Sequence, residues 1–447
     1  MSKIDRRRFL KSSFTAGAAA VAGCAATQDR TAGGWRPTAT VPPPRRGPNE
    51  EIRVACIGFN GQGKGHVSRH AKAKNVRVVT LCDVDESLYA GQIKVVEAAG
   101  NPTPKTEYDL RRVMDDKGVD AVSIATPNHW HALAAIWACQ TGKDVYVEKP
   151  CCHNVFEGRK QVEAARKYNR IVQHGTQARS AGDVRRAMEM LREGVIGEVH
   201  MARALCFKGR GSIGFEQDEA QAPAGVHYDL WTGPAHVQPF NKNRFHYNWH
   251  WNWEYGNGDI GNQGVHQMDI ARWGLGRTLP VKVASMGGRY TYQDQGVTPN
   301  TQIATMQYED GTLLVFEVRG RQTNDEWGCT VGNLFYGSKG VMAIRGTDGP
   351  VEIMLEKKEP GPECKGPSVD HIANFHVAVR SGKIEDLHAD IEEGYYSSAL
   401  CHLANIAFRT GRTLNFDPKT ERFRNDREAN ALLTRDYRGP FVVPSQV

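Results

Sequence analysis

The segment from residue 52 to residue 63 constrains the fold more strongly than any other part of the sequence. An apolar run at 52–57 leads directly into the sequence Gly-Phe-Asn-Gly-Gln-Gly. Glycines at a strand-to-helix turn allow the backbone to approach a pyrophosphate, whose charge then lies at the N-terminus of the next helix. Asn60 stands where the usual pattern has glycine, but Asn tolerates unusual backbone angles better than most residues. The pattern predicts a dinucleotide-binding turn at Gly58, Asn60, Gly61 and Gly63.

An acidic residue follows the next apolar run. The run at 76–81 is followed by Asp83, about 20 residues beyond Gly63, where an acidic side chain binds a ribose 2′-hydroxyl and repels a 2′-phosphate. An ordinary turn residue is the alternative interpretation of Asp83. The sequence therefore predicts NAD rather than NADP as the cofactor.

Segments typical of strands and helices then alternate along the chain. They lie at 120–125, 129–141, 144–147 and 155–168, a rhythm that predicts a doubly wound parallel sheet. Ligands of such sheets collect at the carboxyl ends of the strands. The polar residues at these predicted ends are candidates for cofactor binding, with a solvated turn as the alternative for the lysine: Thr126, Pro127, Asn128, His131, Glu148 and Lys149.

Together these residues resemble the family of glucose–fructose oxidoreductase, inositol dehydrogenase and MocA, abbreviated Gfo/Idh/MocA. The resemblance covers nearly all of the chain from Glu51 onward. It rests on the glycine turn, the segment at 126–131, the Glu-Lys-Pro triplet at 148–150 and the segment at 258–269.

The resemblance implies an α/β protein with two domains. An NAD-binding Rossmann domain with a doubly wound parallel sheet is expected at 51–172, and an α+β substrate-binding domain with a large, mostly antiparallel sheet at 173–447. The longer alternating runs after Gly197 agree with the second domain, and the turn residues at 309–312 predict a hairpin within it. An exposed face of that sheet would allow a homo-oligomer to form.

The resemblance also implies which residues carry the chemistry. The family's substrate-binding lysine falls on Lys149 and its active-site histidine on His266, but the acidic residue four positions earlier is Asn262 here. An amide can orient a hydroxyl but cannot take a proton, so Lys149 would polarise a secondary hydroxyl with His266 as the general base. Asp259 or Asp269 could compensate, although Asp269 at i+3 from His266 fits a structural role.

An aromatic segment at 245–255 is the candidate substrate surface. Six of its eleven residues are Phe, Tyr or Trp, and they alternate with His, Asn and Glu. Flat rings beside polar groups suit the apolar faces and hydroxyl rim of a sugar, while anchoring of a long loop in the core is the alternative. Arg179, Arg244 and His250 are further candidates for the substrate pocket. The expected reaction is hydride transfer from a secondary hydroxyl of a sugar or sugar derivative.

Residues 1–50 are expected to be an export signal followed by a flexible linker. Residues 6–11 read Arg-Arg-Arg-Phe-Leu-Lys and precede a mildly apolar stretch at 14–23, which resembles a twin-arginine signal. A disordered basic tail is the alternative. Val-Ala-Gly-Cys at 21–24 matches a bacterial lipobox in which Cys24 would be lipidated, and ordinary cleavage nearby is the alternative. The expected location is the periplasm or cell envelope, with the twin-arginine machinery as a partner.

Export and NAD dependence together favour a closed redox cycle. Little free nicotinamide cofactor is available outside the cytoplasm, so the cofactor would be loaded before export, retained and restored in each turnover. One such cycle couples the oxidation of one sugar to the reduction of another. A second cycle, oxidation followed by elimination or epimerisation and reduction, belongs to an NAD-dependent glycoside hydrolase or epimerase. A non-catalytic sugar- or nucleotide-binding protein is the alternative from another class, because fold does not fix function.

Composition argues against other classes of ligand. The net charge is +7, but the basic residues form no stripe outside the N-terminus, so nucleic-acid binding is not expected. The ten cysteines include no CxxC pair and no spacing typical of zinc ligands, so no metal site is expected. Cys56, Cys82 and Cys139 lie in apolar runs and are expected to be buried.

Overall fold

The computed structural model describes residues 35, 37, 47, 50–321 and 323–447. The expected twin-arginine motif and Cys24 lie outside the described residues. Within the expected linker, Trp35 packs edge-on against Trp137 with ring centroids 5.0 Å apart, and its indole N–H donates to Asp115 at 2.6 Å. This position is therefore anchored to the first domain, which the non-periodic sequence around it did not indicate.

The first domain contains a six-stranded sheet whose strands are all parallel, in the order β3-β2-β1-β4-β5-β6. This confirms the predicted doubly wound sheet. Its strands are β1 Ile52–Ile57, β2 Val76–Cys82, β3 Lys105–Glu107, β4 Ala121–Ile124, β5 Asp144–Val147 and β6 Val172–His174. Its helices are α1 Gly63–Lys72, α2 Tyr89–Ala98, α3 Leu110–Asp115, α4 Asn128–Gln140 and α5 Val155–Lys167.

The strand order determines where a ligand crevice opens. The chain winds outward from β1 to β3 and then returns to the other side of β1 with β4, which creates a topological switch point between β1 and β4. The carboxyl ends of strands at such a point form the ligand crevice. Strand β6 continues to His174, so the sheet runs two residues past the expected boundary at 172.

The second domain contains a nine-stranded sheet in the order β13-β12-β11-β7-β10-β9-β8-β14-β15. Its strands are β7 Val199–Cys206, β8 Lys282–Gly288, β9 Thr301–Gln307, β10 Leu313–Arg319, β11 Val331–Gly337, β12 Gly340–Arg345, β13 Val351–Leu355, β14 Leu414–Asp417 and β15 Arg422–Phe423. Its helices are α6 Gly182–Arg192, α7 Tyr228–Thr232, α8 Val265–Leu275, α9 His371–Ser381, α10 Ile391–Thr410 and α11 Arg427–Ala431.

The second sheet is mixed but mostly antiparallel, as expected. Strands β7 and β10 pair in parallel, and the other neighbouring pairs are antiparallel. Strands β9 and β10 begin their antiparallel register at Gln307 opposite Leu313, which confirms the predicted hairpin.

Helix α10 joins the two domains. Fourteen of its twenty residues are buried, because it packs on α5 and β6 of the first domain and on α8 and β8 of the second. A helix that is apolar around most of its circumference is expected to be enclosed in this way. The Asp390 carboxylate accepts from Glu392 N at 3.1 Å to cap its start, and Gly411 with φ 65° ends it.

The cysteines that the structure describes are all free and buried. There are nine of them, and they include Cys56, Cys82 and Cys139, which confirms the expectation for these three. Among the helices of the same described ranges, none combines the length and apolar character needed to cross a membrane.

Candidate active site

A cleft of about 340 Å³ opens where β1, β2, β4 and β5 end, and side chains of the second domain form its opposite wall. Most of the predicted cofactor residues line it: Gly58, Asn60, Gly61, Asp83, Thr126, Pro127, Asn128, His131, Glu148 and Lys149. The second domain contributes Leu230, Trp231, His246, Tyr247, Trp249, His250 and Asn262. The cleft therefore lies at the predicted strand ends and is lined by residues of both domains.

The glycine turn fits a dinucleotide phosphate group. Gly58 has φ +77°, a left-handed conformation that favours glycine, and a Cβ atom there would lie 2.8 Å from Thr126 N. A Cβ atom on Gly63 would lie 1.9 Å from Gly58 O. Gly63 does not line the cleft. Because it has no side chain, α1 can begin close behind the turn. The backbone at this point forms a cradle that a side chain would fill.

Asp83 is held beside the glycine turn. Its carboxylate accepts hydrogen bonds from Phe59 N at 2.8 Å and from Asp85 N at 3.1 Å. Burial raises the pKa of Asp83 to about 6, and these backbone hydrogen bonds oppose the rise. The carboxylate is thus oriented at the end of β2, where the ribose of a dinucleotide would be bound.

His131 links two strand-end loops. Its Nδ1 lies 2.6 Å from Pro150 O and its Nε2 lies 2.7 Å from Thr126 O. Burial lowers the pKa of this histidine. Because both ring nitrogens contact backbone carbonyls, His131 connects the loops after β4 and β5 rather than offering a free nitrogen to the cleft.

Glu148, the residue before Lys149, has a buried carboxylate. It lies 3.1 Å from His66 Nε2 and accepts from Gln177 Nε2 and Lys149 N, each at 3.1 Å. Burial alone would raise the pKa of Glu148, but the hydrogen bond from His66 and the charge of Lys149 outweigh it and hold the pKa well below its usual range. A Cβ atom on Gly175 would lie 2.9 Å from this carboxylate, so a larger residue there would displace it.

Lys149 and Asn262 are brought together, as the resemblance implied. The Lys149 ammonium donates to the backbone carbonyl of Asn262 at 3.0 Å and to its side-chain oxygen at 3.3 Å. Burial lowers the pKa of Lys149, while the negative charge of Glu148 opposes that effect. Asn262 belongs to a π-helical turn, Ile260–Gly264, that directly precedes α8.

His266 lies in the first turn of α8 and is not among the residues that line the cleft. Burial and the charge of Lys149 lower its pKa to about 4, and its Nδ1 is buried without a hydrogen-bond partner in the described part of the chain. Neither Asp259 nor Asp269, the two acidic residues that could compensate for Asn262, forms a hydrogen bond with His266 in the described structure. Asp259 pairs with Arg210 at 2.7 Å, and Asp269 accepts from Ser397 Oγ at 2.6 Å.

Two of the three predicted substrate residues lie elsewhere, which corrects the prediction. Arg179 is only 5% exposed and forms an ion pair with Asp269 at 2.8 Å. Arg244 donates to Pro239 O at 3.1 Å and pairs with Asp218 outside the cleft. Both guanidinium groups are therefore used to hold the second domain together.

The third candidate, His250, does line the cleft. Its ring stacks on Trp249 with centroids 3.5 Å apart, and its Nδ1 lies 2.6 Å from Tyr247 O. Burial lowers its pKa to about 3. The histidine is consequently a neutral, rigidly held polar group in the aromatic wall.

The rings of the aromatic segment at 245–255 divide between the core and the cleft. Trp251 and Tyr255 are buried, whereas Tyr247 is 53% exposed and faces the cleft with Trp249. The Tyr247 hydroxyl accepts from Asn262 Nδ2 at 3.3 Å and from Arg210 Nη1 at 3.1 Å. Sequence reasoning missed Tyr247 as an individual residue, because alternation with polar residues does not show which rings face a cleft.

Other residues of the site were also missed, since their contacts join distant parts of the chain. His66, Gln177 and Gly175 surround Glu148, and no local motif distinguishes them. The wall residues Leu230 and Trp231 belong to α7, which was not predicted.

Comparison with known proteins agrees with this architecture. Residues 52–176 match the model of an oxidoreductase family's NAD-binding Rossmann fold, and residues 203–443 match the model of that family's C-terminal alpha/beta domain. Glycosyl hydrolase family 109 protein 2 of Shewanella sp. (strain ANA-3) is 31% identical over 362 residues, which cover 77% of this chain and 74% of that protein.

Solved structures share the fold at low sequence identity. The aldose-aldose oxidoreductase from Caulobacter crescentus, complexed with glycerol, has a TM-score of 0.61 at 17% identity and covers 82% of this chain and 100% of its own. The WlbA dehydrogenase from Bordetella pertussis, in complex with NADH and UDP-GlcNAcA, has a TM-score of 0.61 at 19% identity. The match covers 82% of this chain and 98% of the WlbA chain. The first domain is an NAD-binding Rossmann domain, and the chain belongs to the Gfo/Idh/MocA oxidoreductase family.

Proposed function

We propose that this protein is an NAD-dependent oxidoreductase that acts on a secondary hydroxyl of a sugar or sugar derivative. The observation that best supports this proposal is the position of Lys149. Its ammonium is held by Asn262 between the strand ends and the aromatic wall. Asp83 follows β2 and Lys149 follows β5, on opposite sides of the glycine turn. A dinucleotide bound across the turn would extend from adenosine near Asp83 to nicotinamide near Lys149.

The residues present fit NAD chemistry with clear roles. Gly58, Gly61 and Thr126 would hold the phosphates with backbone groups, Asp83 would hold the ribose, and bound NAD supplies the hydride acceptor. Lys149 would bind the substrate hydroxyl oxygen and polarise it. Its lowered pKa makes it a better proton acceptor near neutral pH than an exposed lysine.

His266 is proposed as the general base, although its ring does not itself line the cleft. Its low pKa keeps the ring neutral, and Nδ1 has no hydrogen-bond partner in the described structure. Such a base contributes about 10²–10⁴-fold to a rate. Because Asn262 replaces the acidic partner, the proton of the substrate hydroxyl depends on Lys149 and His266 alone.

A sugar is proposed as the substrate because of the cleft wall. Tyr247 and Trp249 offer flat apolar surfaces beside the polar groups of His250 and Asn262. Two structural neighbours are named for an aldose and for a complex with a nucleotide sugar. These names support a carbohydrate ligand but do not choose the sugar.

A closed redox cycle with retained NAD is the proposed mode of action. The first candidate couples the oxidation of one sugar to the reduction of another, and the second is the oxidation–elimination–reduction cycle of a glycoside hydrolase or epimerase. The 31% identical relative named glycosyl hydrolase family 109 protein favours the second candidate. Residues 6–11 and Cys24 support export to the periplasm or cell envelope, where recycling of released cofactor would be poor.

The test compares the parent protein with Lys149→Ala on sugars, sugar pairs and glycosides. Lys160→Ala is the matched control, since that lysine pairs with Glu163 at 2.6 Å within α5 and does not line the cleft. We expect Lys149→Ala to lose turnover by about 10²–10⁴-fold while keeping bound NAD, and Lys160→Ala to match the parent. Equal turnover in all three proteins would overturn the proposal and favour a non-catalytic binding protein. Release of an aglycone with deuterium incorporated from solvent would select the elimination cycle.

A further inference from the structure

We propose that residues 225–250 of the second domain form a strap across the bound dinucleotide, and that His246 is its latch. The latch joins Asn60 to Asp85 and thereby keeps NAD from leaving. This inference deepens the proposed function, on which it rests for the expectation that the cofactor is retained.

One imidazole bridges two loops of the first domain. Asn60 Nδ2 donates to His246 Nδ1 at 2.7 Å, and His246 Nε2 lies 3.3 Å from Asp85 Oδ2. Because Nδ1 accepts, the proton of the neutral ring is on Nε2 and is directed toward Asp85. Asn60 lies in the turn after β1 and Asp85 in the loop after β2, so the ring spans the gap between the two loops.

That gap is where a dinucleotide must pass. Asp83, the proposed ribose ligand, accepts from Asp85 N at 3.1 Å, and the phosphate-binding turn begins at Gly58. His246 itself lines the cleft. A cofactor that extends from Asp83 across the turn would therefore pass between the two loops that His246 joins, and its departure would require the latch contacts to break.

A second set of contacts holds the strap at the adenosine end of the cleft. His227 N donates to Val84 O at 2.8 Å, and the His227 ring stacks on Tyr108 with centroids 3.9 Å apart. Its Nε2 lies 2.7 Å from a Glu86 carboxylate oxygen. Glu86 N in turn donates to Gly225 O at 3.0 Å. Since Tyr108 lines the cleft, these contacts also cover a wall of the cofactor site.

The backbone at the latch supports a functional role. His246 has φ +47°, a conformation that residues other than glycine rarely adopt. The preceding residue, Phe245, is buried against Phe240 and Trp231, which fixes the chain on one side. Such backbone strain persists where surrounding contacts determine it, and it is common at ligand clamps.

The latch also accounts for the departure from the glycine pattern. Asn60 stands where the dinucleotide fingerprint has glycine, and glycine has no side chain that could reach the strap. The substitution therefore replaces a residue that only permits close approach with one that binds the second domain.

The test measures NAD release without any sugar present. The parent, Asn60→Gly and His246→Ala are loaded with NAD, and exchange of bound NAD against excess etheno-NAD is followed by fluorescence. His236→Ala is the matched control within the strap. That histidine makes a similar pair with Glu254 at 3.0 Å, but the pair lies inside the second domain and contacts neither loop of the first, and His236 is 57% exposed and lies outside the cleft. Asn60→Gly restores the glycine of the dinucleotide fingerprint and is expected to fold. The test therefore remains decisive even if His246→Ala does not fold.

We expect Asn60→Gly, which loses one hydrogen bond, to release NAD about three- to tenfold faster than the parent, and His246→Ala, which loses two contacts, to release it about tenfold faster or more, while His236→Ala stays within about twofold. Release rates of Asn60→Gly within about twofold of the parent would overturn the latch. If the variants release NAD faster but the parent turns over no sugar, the latch is supported and the proposed function is contradicted. If NAD release is unchanged and the parent turns over a sugar, the proposed function is supported and the latch is contradicted.

Discussion

Lys149 of the first domain donates through its ammonium to both carbonyl oxygens of Asn262 in the second domain, at 3.0 and 3.3 Å. The strand-end lysine is thus positioned by a π-helical turn of the other domain. Where the family resemblance implies a carboxylate, the lysine meets an amide, which binds its ammonium without neutralising it. The protonation of Lys149 is therefore set by burial and by Glu148.

Asn262→Asp should move the pH dependence of the reaction to higher pH. A carboxylate at this position would stabilise the charged ammonium and raise the pKa of Lys149. The limb of the kcat/KM profile that requires Lys149 to lose a proton would shift upward. Asn248→Asp is the control, because that side chain binds Asn243 and does not line the cleft. A profile identical to that of the parent would show that Lys149 does not control the rate.

Asp83→Asn should change stability in a pH-dependent manner. The folded pKa of Asp83 is about 6 against a reference of 3.8, so the folded protein favours the protonated acid, and ionisation costs stability as pH rises between these values. A rise of this size corresponds to about 3 kcal/mol. The Asp83→Asn variant avoids this cost, so its stability relative to the parent should be greater at pH 7 than at pH 4 by up to about 3 kcal/mol. Urea unfolding at both pH values measures this difference; equal differences at the two pH values would contradict it.

The same substitution tests cofactor choice. Asp83→Asn removes the negative charge that would repel a 2′-phosphate, so NADP affinity should rise relative to NAD affinity. Titration of both nucleotides into protein freed of cofactor measures the ratio. A ratio equal to that of the parent would mean that Asp83 does not face the ribose.

Gly175→Ala should disturb the charged side chain of Glu148, the residue before Lys149. The added Cβ would lie 2.9 Å from the Glu148 carboxylate, and overpacking of this kind costs about 1–3 kcal/mol. Gly91→Ala is the control, since Gly91 lies within α2 and a Cβ atom there would have no other atom within 4 Å. Replacing a helical glycine by alanine should stabilise the protein by about 0.5–1 kcal/mol. Thermal unfolding compares the two variants. Equal effects would show that Glu148 is free to move.

Arg179→Met should affect stability rather than substrate affinity. The substitution leaves Asp269 buried without its main cationic partner, which typically costs about 3–5 kcal/mol. Arg186→Met, which breaks exposed pairs on α6, should leave the unfolding free energy nearly unchanged. A raised KM with unaltered stability in Arg179→Met would place Arg179 in the substrate pocket after all.

Local pattern predicted those parts of the site that depend on one strand and its following turn. Gly58, Asp83 and Lys149 each follow an apolar strand, and the parallel sheet brings the three strand ends to one edge. Asn262 could be assigned only through the family resemblance, because nothing near it in sequence indicates that it meets Lys149.

Long-range pairing could not be predicted in the same way. The sequence offers Arg179 as a candidate for the substrate pocket, yet its partner Asp269 lies 90 residues away. His246 and Asn60 are 186 residues apart. Which charged groups pair across such separations is decided by domain packing, and a single sequence carries no periodic signal for it.

The most direct test of the central claim is the nucleotide content of the purified protein, with none added. The protein is denatured without prior dialysis, and released NAD, NADH, NADP and NADPH are separated and quantified by chromatography. We expect close to one NAD(H) per chain and little NADP(H). A protein that contains no nucleotide and binds NAD only weakly would contradict a retained cofactor and the closed redox cycle that depends on it.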